Sequence, residues 1–125
     1  MSRTTFFIFL AAIATLGLPR DARAGDAARG QTLYQTRCTT CHSIDYNGVG
    51  PAHKGLFGRK AGSVVDYTYS PAVQASTVIW SAQTLDKWLT NPEKFIPGQK
   101  MGFMVPDAKD RADLIAYLKK ETAKP

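Results

Sequence analysis

The chain has 125 residues, 44% of them hydrophobic, and 16 basic against 10 acidic side chains give it a net charge of +6. That length suits one small domain and excludes a multidomain architecture. The basic residues are scattered rather than packed into a run, which excludes a dedicated nucleic-acid-binding stripe and leaves a diffuse positive surface suited to an acidic protein partner.

The first segment reads as a targeting signal. Met1–Thr5 carries one positive charge, Phe6–Leu18 contains none, and Ala22-Arg23-Ala24 has the small-x-small form of a cleavage site. This is the order of a secretory signal peptide. The uncharged run is 13 residues long, short of the roughly 20 that a membrane-spanning helix needs. Residues 1–24 are expected to be cleaved, leaving an exported, periplasmic domain over 25–125. The alternative is an uncleaved anchor that tethers the same domain to the membrane. The remaining 101 residues carry 13 basic and 9 acidic side chains, a net +4.

Four helices are predicted in the mature chain. Asp26 caps the first, which runs through Gly30, Leu33, Tyr34 and Arg37 into Cys38. Ser70-Pro71 opens a short second helix to about Ser76. Ser81 caps a third, with Leu85, Trp88 and Leu89 at i, i+3 and i+4, and Asn91-Pro92 stops it. The last begins near Asp107–Asp110 and carries Leu114, Ile115 and Leu118 as its apolar stripe, with Lys119 and Lys120 at its C-terminal end. No stretch alternates with period two. Between Ser43 and Tyr69 lies a glycine-rich segment without helical periodicity, and structureless connections of that length are uncommon unless something fills the middle. A large flat apolar cofactor would.

Cys38-Thr39-Thr40-Cys41-His42 carries the chemistry. A disulfide between cysteines three positions apart closes a tiny loop and stabilises little. C-x-x-C-H is the pattern of covalent c-type haem attachment, two thioethers with the adjacent histidine on iron. A thioredoxin-like dithiol requires a βαβ context, and a zinc site requires two further ligands at matching spacing. Beyond the signal segment there are two methionines, Met101 and Met104, in one loop after Pro97-Gly98. Either offers a soft thioether to iron, which favours the reduced ion. Nothing resembles a catalytic acid, base or nucleophile in a pocket.

From Gly25 to Lys120 the chain resembles mitochondrial-type cytochrome c and its close bacterial relatives, the class I c-type cytochromes. The resemblance rests on Gly25-Asp26, the Cys38–His42 motif, Gly50-Pro51, Gly55–Lys60, Trp80, Asn91–Met101 and Asp113–Lys120. It implies an all-α class I fold of about four helices and long loops wrapped around one covalently attached haem c. It implies a soluble one-electron carrier of a respiratory or photosynthetic chain, not an enzyme. His42 and Met101 take the positions of the iron ligands. Pro51 would hold the second nitrogen of His42, and Arg59, Tyr69 and Trp80 stand where the family hydrogen-bonds a buried haem propionate. Gly30 would let the first and last helices cross closely, with Tyr34 near Leu114 and Tyr117. Partners would be acidic redox proteins or membrane electron-transfer complexes, met by a monomer through Lys54, Lys87, Lys94, Lys100 and Lys109.

The sequence also departs from the family. Trp88 replaces a tyrosine whose hydroxyl contacts the methionine sulfur, and Gln99 replaces a threonine that bonds the inner propionate. Tyr46, Tyr67 and Phe57 are expected to wall the cofactor pocket. His53, a lone loop histidine, is expected to face solvent.

Overall fold

The computed structural model describes residues 24–123; apart from Ala24, the expected signal peptide lies outside them. Five helices follow in order: α1 (Ala27–Arg37), α2 (Pro71–Gln74), α3 (Ala82–Thr90), α4 (Pro92–Phe95) and α5 (Ala108–Thr122). Among the described residues the only β pairing is one antiparallel bridge between Lys60 and Ile79. The all-α reading holds.

Side-chain caps start every helix, satisfying amide donors that the first turn leaves unpaired. Asp26 accepts from the amides of Ala28 and Arg29, Ser70 from Val73, Asn91 from Lys94 and Asp107 from Asp110. Ser81 and Thr84 form a reciprocal capping box at the start of α3. The fourth short helix, α4, corrects the sequence reading. Asn91-Pro92 was expected only to stop α3, yet the same pair repeats the cap-then-proline start of Ser70-Pro71. It ends one helix and begins the next.

The helices α1 and α5 cross at Gly30. A β-carbon there would overlap the carbonyl oxygen of Asp113, so only glycine permits the approach. Tyr34 packs on Tyr117 beside the crossing, with ring centroids 5.2 Å apart. Asp113, 2% exposed, lies inside the contact. Its carboxylate accepts from the Asp26 amide (2.7 Å), from Arg29 and from Lys109 Nζ (2.8 Å). Arg29 and Arg37 of α1 also reach Asp110. Lys109 thus pairs with the helix crossing while its side chain stays exposed.

α3 lays Leu85 and Leu89 into the core, and Arg111 Nε of α5 meets Asp86 of α3 at 2.7 Å. The segment 43–69 stays non-helical and is sewn to the domain by backbone bonds. Gly55 N donates to Thr122 O, Gly58 N to Trp80 O, Ala61 N to Val78 O, and Trp80 N to Arg59 O.

Burial pushes the Asp113 carboxyl upward, but its bonds to Lys109, Asp26 and Arg29 outweigh that and hold it at about 2. An unfolded aspartate titrates near about 3.9, so the unfolded chain takes up this proton first. The stability this group contributes is complete above about pH 5 and is lost as pH falls toward about 2. Asp113→Asn should lower the unfolding free energy by about 2 kcal/mol at neutral pH. That difference should shrink in denaturant titrations repeated at successively lower pH.

Candidate cofactor site

The end of α1, the 43–69 loop, α3, the 100–103 segment and α5 enclose a cavity of about 570 Å³. Cys38, Cys41, His42, Pro51, Arg59, Tyr69, Trp80 and Met101 all line it. Apolar side chains make up much of the remaining wall, among them Leu56, Val73, Leu85, Leu89, Leu114 and Leu118.

The tight turn after α1 positions the motif. Cys38 ends the helix, and its carbonyl accepts from the amides of Cys41 (3.1 Å) and His42 (2.8 Å). Both cysteines are free thiols. Burial, reinforced by Cys41 and opposed by Arg37, pushes the Cys38 thiol up to about 11. Redox-active dithiols have the opposite shift, toward the thiolate. Among the described residues, no three His, Cys, Asp or Glu side chains cluster to hold a metal ion. An ion bound here would have to bring most of its own donors, as a metal inside a macrocycle does.

His42 Nδ1 lies 2.9 Å from the Pro51 carbonyl. A carbonyl only accepts, so Nδ1 carries the proton and Nε2 is left with its lone pair. Burial lowers the His42 pKa, and the Pro51 bond opposes the shift. Gly50 abuts the ring: a β-carbon there would overlap Cε1, Nδ1 and Nε2.

Arg59 donates to the carbonyls of Lys54 (2.6 Å) and Ala52 (3.0 Å). Burial lowers its pKa, and Tyr69 opposes that. Among the described residues no carboxylate pairs with it. A half-buried guanidinium without a counter-ion fits an acidic edge on whatever occupies the cavity. Tyr69 Oη accepts from Val64 N at 3.2 Å, and Trp80 packs edge-on to Trp88 with centroids 5.5 Å apart. An apolar enclosure with two thiols, an imidazole lone pair, a thioether and the unpaired Arg59 guanidinium suits a flat, acid-bearing porphyrin.

Three expectations change. Tyr67 lines the cavity, but Tyr46 faces a separate open depression with Asp45 and Asp66, and Phe57 packs against the hydrophobic core. His53 does not face solvent. It lines the cavity, stacks on His42 with centroids 4.2 Å apart and planes 19° apart, and pairs its Nδ1 with the Tyr34 hydroxyl at 2.9 Å. Burial, then His42 and Arg59, hold it well below the ordinary histidine range, so it is neutral. No periodicity marked it; its position two residues after Pro51 was the available signal.

A cytochrome c family model matches residues 27–122. A cytochrome c of Gibberella zeae is 48% identical over 102 residues, covering 78% of this chain and 96% of that protein. One of Arabidopsis thaliana is 46% identical, covering 78% and 91%. The solved structure of cytochrome cH from Methylobacterium extorquens superposes with a TM-score of 0.73 at 43% identity, covering 77% of this chain and 99% of that one.

Arg59→Met should leave the Ala52 and Lys54 carbonyls without their donor. The expected cost is about 2 kcal/mol, read as a lower denaturant midpoint.

Proposed function

The chain belongs to the cytochrome c family, and from that membership we propose that it passes single electrons along a respiratory or photosynthetic chain with His42 and Met101 as its iron ligands. It binds one haem c covalently and transfers electrons; it is not an enzyme. The observation that carries the ligand reading is that Cys38, Cys41, His42 and Met101 line one cavity.

When bound, the haem supplies an iron that cycles between ferrous and ferric. In this reading Cys38 and Cys41 provide the thiols for attachment, and His42 offers Nε2 because Pro51 occupies Nδ1. Met101 offers a soft thioether, which favours ferrous iron and raises the potential. Met104 is 52% exposed and lies outside the cavity wall, which supports Met101 over its neighbour. Arg59, Tyr69 and Trp80 would surround the acidic edge, with Arg59 compensating its charge. A wall of packed side chains on every helix but α4 resists rearrangement, so little reorganisation would accompany each transfer.

Redox partners are implied by the family, and we infer acidic ones. Lys54, Lys94 and Lys100 are exposed, and Lys100 sits at the cavity mouth beside Met101. Among the described residues no helix is long and apolar enough to cross a membrane. Cleavage after Ala24, a periplasmic location and a monomeric state belong to the same proposal; the first two rest on the charge and apolar pattern of residues 1–24.

Two measurements test it. Met101→Ala should abolish the weak red charge-transfer band of ferric His/Met haem and lower the potential, because harder replacement ligands favour ferric iron. Met104→Ala should keep the band. The reverse pattern would transfer the ligand role to Met104.

The second concerns docking. Lys100→Gln should slow association with an acidic redox partner severalfold at low salt. Near physiological ionic strength, where the Debye length is about 8 Å, the gap should narrow. Stopped-flow rates across a salt series read both effects.

A further inference from the structure

We propose that His53 is a positioning residue: its ring, held by Tyr34, sets the rotational orientation of the His42 imidazole. The inference rests on His42 being the iron ligand. A histidine's outer side-chain torsion lacks deep staggered wells, so the ring needs lateral support to hold one orientation. The bond from Nδ1 to the Pro51 carbonyl fixes the tautomer and aims one edge. A single hydrogen bond still lets the plane rock about its own direction.

Flat contact removes that freedom. The His53 ring lies 4.2 Å from the His42 ring, centroid to centroid, with planes 19° apart. Gly50 crowds the same imidazole so closely that no side chain fits there. His53 would swing about its own outer torsion were it not bound in turn, Nδ1 to the Tyr34 hydroxyl at 2.9 Å. Tyr34 is wedged beside Tyr117 in the α1–α5 crossing. A continuous series of rings thus joins the α1–α5 crossing to the imidazole. A leucine at position 53 would fill the volume, yet would supply neither a flat face nor a partner for the Tyr34 hydroxyl.

The plane of an axial imidazole selects the iron d orbital with which its π system overlaps. In the ferric state that choice sets the anisotropy of the electron paramagnetic resonance signal. Together with the orientation of the axial thioether, it also sets the order of the four haem-methyl resonances in the proton NMR spectrum.

The test compares the holoprotein with Tyr34→Phe, His53→Ala and His53→Phe, all ferric. Wild type should give a low-spin signal with the His/Met charge-transfer band; a different signal would overturn the ligand reading itself. With that established, His53→Ala should reorder the haem-methyl resonances and shift the g-values while the band persists. Tyr34→Phe, which keeps every ring and frees only the His53 anchor, should shift them in the same sense by less. His53→Phe, which restores a stacking face, should return the pattern toward wild type. If methyl order and g-values stay at wild type in all three, with only the melting temperature lowered, His53 is packing and the proposal fails. If His53→Ala yields no folded holoprotein, Tyr34→Phe decides by the same readout.

Discussion

Asp113 places a carboxylate in the contact between two helices, and three donors from different points of the chain converge on it. They are the amide that precedes α1, Arg29 within it and Lys109 one turn back along α5. Stripping partners from a buried charge costs several kcal/mol, so α1 and α5 cannot slide without breaking the set together. Gly30 makes the approach possible and Asp113 makes it specific. Two further features depend on that register. The Cys38–His42 turn hangs from the C-terminal end of α1, and Leu114 and Leu118 of α5 form the facing part of the cavity wall.

The remaining wall is built differently. Apart from the single bridge between Lys60 and Ile79, the 43–69 segment has no helical or ladder hydrogen bonds, so its backbone groups pair singly, some with distant partners such as Thr122. Turns with positive φ at Gly55, Gly58 and Gly62 let it fold back repeatedly over the cavity. Such a wall gains little from local structure. Its stability depends on what it encloses, which is why a domain this small carries a cavity of about 570 Å³ at its centre. Arg59 expresses the same dependence electrostatically, as a half-buried cation held only by carbonyl dipoles.

Much of this was legible in the sequence, for reasons that differ by residue. Asp26, Ser70, Ser81 and Asp107 announce helices because a cap acts within three residues, well inside the range of a local pattern. Cys38, Cys41 and His42 announce a cofactor because their spacing is itself the chemistry. Asn91-Pro92 was half read, since one pair both ended α3 and began α4. His53 was misread because burial of a loop residue is decided by what folds over it, here Tyr34 from 19 positions earlier. Tyr46 and Phe57 failed for the same reason: aromatic character marks a residue for contact without saying with which wall. Arg59, Tyr69 and Trp80 were reached only through the resemblance, and no spacing rule would have grouped them.

The segment that carries Met101 shows how a loop can fix a side chain without regular structure. On one side Ile96 is buried, Gln99 N donates to its carbonyl, and Gly98 adopts φ +90°, open to glycine at no steric cost. On the other, Val105 is fully buried, its amide donates to Leu89 O, and Arg111 Nη1 takes the carbonyls of Val105 and Pro106. Arg111 is bound in turn to Asp86, so the second anchor traces back to α3 and α5, while the first traces to α4 through the Ile96 amide on the Pro92 carbonyl. Between them only a few residues are free, and they divide by position: Met101 and Phe103 line the cavity, while Met104 turns outward. A span so short, pinned at both ends, limits how far the Met101 side chain can move, which would suit the ligand role proposed for it. The same pinning presents Phe103 with Lys100 at the cavity mouth, so the constraint that steadies Met101 also shapes the surface there.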